Sequence, residues 1–146
     1  MPANTSPIFI KQGNFTPVTI TGVNTATDGS GTPGSTIFVV VTAQTDGTRV
    51  DGVRFRNAGT TALNTSAATR FCIFLSDTGG ANYRLIGEVA QAAGTTRSAT
   101  VIGATSIFTF DQPIIMKSGQ LMAVTSTNWS TAGADNTVAL AFAGDY

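Results

Sequence analysis

Every apolar stretch in this chain is short, and Gly, Asn, Asp or Pro interrupts it before a helical face can form. Apolar positions either alternate with polar ones or run together over a few residues, and recurrence at three and four is missing. With β-branched and aromatic residues filling the runs, this pattern predicts many short strands separated by turns. The fold class it implies is all-β: an antiparallel two-sheet β-sandwich, jelly-roll-like, of about eight strands. A chain of 146 residues fits one such domain, which buries roughly 70% of the surface its unfolded chain exposes.

The organisation reads as an N-terminal arm over residues 1–16 and a sandwich domain over residues 17–146. Pro2, Pro7 and Pro17 punctuate the arm, where Ile8, Phe9, Ile10 and Phe15 are apolar without a strand pattern. The arm is either a docking element or an ordinary chain end. Val18 and Ile20 alternate with Thr19 and Thr21 in a first strand, and residues 25–35 form a long loop of Gly and small polar residues. Residues 37–42 and 49–56 flank Asp46-Gly47, a dipeptide suited to a type I′ hairpin turn. The second such pair, Asp51-Gly52, follows too closely for another hairpin and predicts a bulge. Beyond it Val53 and Phe55 point inward and Arg54 and Arg56 outward.

Further strands are expected at residues 69–76 and 83–90, the latter with Leu85 and Val89 on one face and Arg84 and Glu88 on the other. Three more follow at 105–110, 120–125 and 137–142. In the last, Ala139 and Ala141 are expected to face outward, away from Val138, Leu140 and Phe142. Two runs, Ile37-Phe38-Val39-Val40-Val41 and Phe71-Cys72-Ile73-Phe74-Leu75, are apolar on both faces. One face enters the core; the other needs a loop, the arm or another subunit to cover it.

Composition narrows the chemistry. Histidine is absent, Glu88 is the sole glutamate and Cys72 the sole cysteine, whereas acid–base work near neutral pH and ordinary metal sites draw on those residues. Cys72, inside an apolar run, reads as a small buried hydrophobe. Eight Lys plus Arg balance eight Asp plus Glu, so no strong field steers the chain to phosphate backbones, and nucleic acid is not an expected partner. The apolar runs are too short to span a bilayer and the first residues lack a signal-peptide pattern, so no membrane partner is expected and the chain reads as cytosolic when made.

Candidate motifs weaken on inspection. Gly29-Ser30-Gly31-Thr32-Pro33-Gly34 matches G-x-G-x-x-G literally, but a strand follows where the dinucleotide fingerprint needs a helix. Glu88, Asp77 and Asp111 are the acids weighed as a hydrolytic pair, and they are scattered along the chain, Asp77 in a turn. The acids are too dispersed for a calcium loop. No catalytic residue, metal ligand or cofactor site is assigned, and the chain is read as a non-enzyme. Trp129, in the polar loop 126–136, either stacks on a ligand or partner or caps the core.

One resemblance sharpens this reading. The pattern Asp46-Gly47-Thr48-Arg49-Val50-Asp51-Gly52-Val53, then Asn57-Ala58-Gly59-Thr60, the strand at 71–75, Leu85-Ile86-Gly87-Glu88-Val89, the stretch Ile114-Ile115-Met116-Lys117-Ser118-Gly119-Gln120-Leu121 and the closing Asp145-Tyr146 together resemble the small jelly-roll decoration, or cement, proteins of tailed-bacteriophage heads. The resemblance covers the chain from about residue 36 onward and is one of pattern and spacing, without a catalytic motif. It implies a structural virion protein on the capsid exterior, made in the host cytoplasm, that binds the major capsid protein as a homotrimer and bridges its subunits. Ile8, Phe9, Ile10, Phe15 and Trp129 are the nominated partner contacts, with the outward face of the 71–75 strand beside them. The alternative from another class is a carbohydrate- or receptor-binding module of a tail fibre.

Overall fold

The structure, a computed structural model, describes residues 10–57, 68–93, 103–128 and 137–146. They form nine strands: β1 (Gln12–Gly13), β2 (Val18–Ile20), β3 (Phe38–Thr42), β4 (Thr48–Asn57), β5 (Thr69–Leu75), β6 (Arg84–Gln91), β7 (Thr105–Met116), β8 (Leu121–Ser126) and β9 (Thr137–Asp145). Two antiparallel sheets result, one of five strands in the order β1-β9-β4-β7 with β2 also on β9, the other β3-β8-β5-β6. The predicted β-sandwich is therefore what the chain forms.

The pairings nest. β5 pairs with β6, β4 with β7, β3 with β8 and β2 with β9, so the chain is a long double ribbon rolled on itself, the jelly-roll arrangement. This corrects the expected hairpin at Asp46-Gly47, because β3 and β4 lie in different sheets. The segment between them turns a corner: Gly47 N–H donates to Gln44 O at 3.0 Å, and Gln44 N–H to Thr48 Oγ1 at 3.1 Å. Only Gly47, last in that turn, has a positive φ of 98°, whereas a type I′ turn needs positive φ at both central residues.

The core lies between the sheets. Val53 and Phe55 are fully buried, and the Phe55 ring stacks on Phe71 of the opposite sheet with centroids 4.3 Å apart. Asp51 is the bulged residue of β4: the register shifts there against both neighbours, which keeps Val50 and Val53 inward. Opposite it β7 bows out between Thr109 and Ile114 and runs past the expected end to Met116. Pro113 falls in that bow, where no ladder N–H is required.

Two expected facings are reversed. Ala139 and Ala141 are buried and Phe142 is exposed, because Ala139 stands beside Phe55 and Ala141 beside Val53 in the register. The large rings already fill the interior, so β9 contributes small side chains inward and bulky ones outward. In β6 a shift between Ile73 and Phe74 of its partner leaves Ile86 as the extra residue. Ile86 and Val89 pack on the core while Leu85, expected to share the face of Val89, is 36% exposed.

The outer face of the four-stranded sheet is covered by the chain itself. Cys72, Phe74 and Ala123, which alternate with the core residues Phe71, Ile73, Met122 and Val124, are fully buried. The connection between β2 and β3 crosses over them. Asn24 N–H donates to Ser126 O at 2.8 Å on the β8 side, while Gly29 sits so close to Tyr83, just before β6, that a Cβ there would fall 2.3 Å from the Tyr83 carbonyl. These anchors stand on β8 and at the start of β6, two strand spacings or about 10 Å apart with β5 between them, so the segment that joins them lies across β5. The Gly-rich loop, which has no apolar face of its own, is thus the lid on the apolar run of β5.

Candidate functional site

With that face sealed, exposed apolar surface collects on the other side of the sandwich. The outward residues of the five-stranded sheet form a grid. Leu140, Arg54 and Ile107 lie in one row across β9, β4 and β7; Val138, Arg56 and Thr105 in the next; Phe142, Gly52 and Thr109 in the row on the other side. Ile107 is 53% exposed and Phe142 39%. Further along, Arg49 lies between Gly144 and the exposed Ile115.

The N-terminal arm extends this face. β1 pairs with the end of β9, Gln12 opposite Asp145 and Gly13 opposite Gly144. Ile10 then lies over Gly144, where a Cβ would meet its side chain at 2.5 Å. Phe15 stands 59% exposed. Between arm and sheet runs a groove of about 340 Å³ whose lining includes Ile10, Phe15, Leu140, Phe142 and Asp51. The arm is clasped at its base. Asn14 Nδ2 donates to Asp145 Oδ1 at 2.7 Å and to Thr42 O at 3.0 Å, Thr48 Oγ1 donates to the same carboxylate, and Lys11 Nζ pairs with Asp46 at 3.2 Å.

The face carries Arg49, Arg54 and Arg56 with Asp51 and, two residues beyond Thr109 on β7, the exposed Asp111. Arg49 is engaged by Asp51 through Nε at 2.9 Å and Nη2 at 2.8 Å. Among the described residues Arg54 and Arg56 take part in none of the ion pairs, which are Lys11 with Asp46, Arg49 with Asp51 and Arg70 with Glu88. No family model, curated protein or solved structure matches this chain. The face must therefore be read from its own chemistry.

Of the nominated contacts, Ile10 and Phe15 stand on this face, and Ile8, Phe9 and Trp129 lie outside the described residues. The outward face of the Phe71 strand, nominated with them, is a correction: it is buried under the 25–35 loop and offers a partner nothing. Leu140, Phe142, Ile107 and the two free arginines were legible as outward or apolar but were not brought together, since the facing of β9 was reversed.

The weighed acids stay apart. Glu88 pairs with Arg70 at 3.3 Å and lies 3.6 Å from Cys72 Sγ; Asp77 is held in its turn by Asn82 and by its own N–H bond to Ala81 O. Burial pushes the Cys72 thiol above its ordinary pKa, which disfavours the reactive thiolate. Among the described residues no three His, Cys, Asp or Glu side chains gather where a metal ion would sit. The G-x-G-x-x-G stretch is a loop closed by Gly34 N–H to Ile37 O at 2.8 Å and leads into β3, not a helix.

Proposed function

We propose that this protein is a structural capsid-binding module, a decoration protein that docks on the outer surface of an assembled phage shell and bridges its major capsid subunits. One observation carries the reading: a jelly roll that seals one sheet with its own loop leaves the other sheet bare, with Ile10, Phe15, Leu140, Phe142 and Ile107 outward. An apolar surface left uncovered on one side is the signature of a partner-binding surface. The resemblance in pattern to phage cement proteins supplies the partner, the major capsid protein, the homotrimeric state and the virion exterior as the place. On this reading the chain performs no catalysis and holds no cofactor. Many copies, each binding only the assembled state, stabilise a shell by mass action even through weak single contacts.

The test is direct. Purified protein added to decoration-free heads of the virus that encodes it should sediment with them and raise the temperature at which they release DNA. Heads that neither bind it nor gain stability would reject the proposal. The carbohydrate-binding reading is less well supported by the groove, where aromatic rings are present but the Asp51 carboxylate is already engaged by Arg49. A glycan array with strong hits would restore it.

A further inference from the structure

The Arg-bearing grid has a chemistry more specific than apolar docking. We propose that it receives an extended protein segment bearing carboxylates among apolar side chains, with Arg54 and Arg56 as its cationic anchors. This rests on the capsid-binding reading for where such a segment is found, not for what the face recognises.

Arg54 is flanked in register by Leu140 and Ile107, and Arg56 by Val138 and Thr105. A guanidinium is more weakly hydrated than an ammonium and presents a fork that matches a carboxylate, so it suits a contact that also removes neighbouring apolar surface from water. Two residues apart on one strand, the arginines are about 7 Å from each other along β4. The same spacing separates side chains at i and i+2 of a partner strand. In the next row the exposed Phe142 ring gives an apolar side chain of that segment a surface to pack on.

The other occupants fit less well. A second copy stacked face to face makes an isologous interface, which sets the Arg54 and Arg56 pair against the same pair, with Asp51 already engaged and one further acid, Asp111 on β7, to answer two arginines in each copy. Phosphate backbones are bound through arrays of cations, whereas among the described residues this face offers two outside any ion pair, set among Leu, Ile and Phe.

The probe is the blocked heptapeptide Leu-Thr-Asp-Thr-Asp-Thr-Leu, which as a strand puts both acids and both leucines on one side, against a control with Lys for Asp. Titrated into the ¹⁵N-labelled full chain at up to several millimolar, the acidic peptide should shift amides of β4, β7 and β9. Its affinity should fall roughly five- to tenfold in the double variant Arg54→Glu, Arg56→Glu and with rising salt; Arg54→Gln, Arg56→Gln serves if the reversal impairs folding. Equal binding of the Lys peptide, shifts on other strands, no shifts at all, or a dimer in sedimentation that buries this face would overturn the inference. Binding to heads separates the two ideas. Wild-type binding that the double variant retains in full sinks the arginine face alone, while failure on heads with the peptide response intact sinks the capsid reading alone.

Discussion

Replacing Ala139 by Asp, beside Leu140 by Asp, tests which side of β9 is the interior. Ala139 is fully buried, between Val18 and Phe55 in the register. An aspartate there stays neutral at pH 7 only at a cost of about 4 kcal/mol, from roughly 1.4 kcal/mol per pH unit between its ordinary pKa near 3.9 and 7. The carboxylic acid, without a hydrogen-bond partner among those side chains, adds about 1–3 kcal/mol. The sum, roughly 5–7 kcal/mol, is a large share of a stability of about 5–15 kcal/mol. At about 2–4 °C per kcal/mol for a chain of this size, the melting temperature should fall by about 10–25 °C. Leu140→Asp gives up about 1 kcal/mol of partial burial and recovers part of it beside Arg54, so it should melt within a few degrees of the wild type. The buried acid has its folded pKa raised, so the part of its penalty that comes from keeping it neutral, about 4 kcal/mol at pH 7, is absent below about pH 4 and grows as pH rises above that value. Calorimetric scans at pH 7 and pH 4 read both effects. If Leu140→Asp is the more damaging variant, or if Ala139→Asp loses no more stability at pH 7 than at pH 4, the assigned facing of β9 is wrong.

Three other outcomes follow from the packing. Phe71→Ala removes one ring of the stacked pair with Phe55 and should cost about 3–5 kcal/mol in urea unfolding. Gly22→Val places a side chain where a Cβ would meet the Ser35 carbonyl at 2.0 Å; by lifting the loop it should speed labelling of Cys72 by a thiol reagent at least tenfold while the wild-type thiol stays slow. Asn14→Ala removes two donors from the base of the arm and should lower stability by about 1–2 kcal/mol, with amide exchange at Lys11 and Asn14 accelerating before that of β4.

Alternation of apolar and polar residues located the strands of this fold, because that signal is local. Val18 with Ile20, the bulge at Asp51-Gly52, and the inward Val53 and Phe55 needed nothing beyond their neighbours in the chain. Partners were harder. Asp46-Gly47 has the composition of a hairpin turn, yet the segment crosses between sheets, since the nested ribbon commits β3 to β8 and β4 to β7 and β9. Alanines alternating with Val138, Leu140 and Phe142 suggest a bulky interior face, and only the Phe55–Phe71 stack, made by strands remote in sequence, shows why small residues belong inside. The loop at 25–35 lacked an apolar signature because its cover is made of backbone and small side chains. That one omission left the outward face of the Phe71 strand among the expected contacts although the chain buries it, and the arginines of β4 passed as ordinary solvated charges.

The nesting also dictates an order of events at the ribosome. None of the strands β1 to β5 pairs with another of that set, so the first half of the nascent polypeptide emerges with its greasiest stretches bare and must wait for the second half before any ladder closes. Zippering can start at the Asp77 turn and proceed outward, which leaves β1 and β9 to meet last. Since the groove beside Phe15 and Phe142 exists only once those two strands have met, it is the last feature of the fold to take shape.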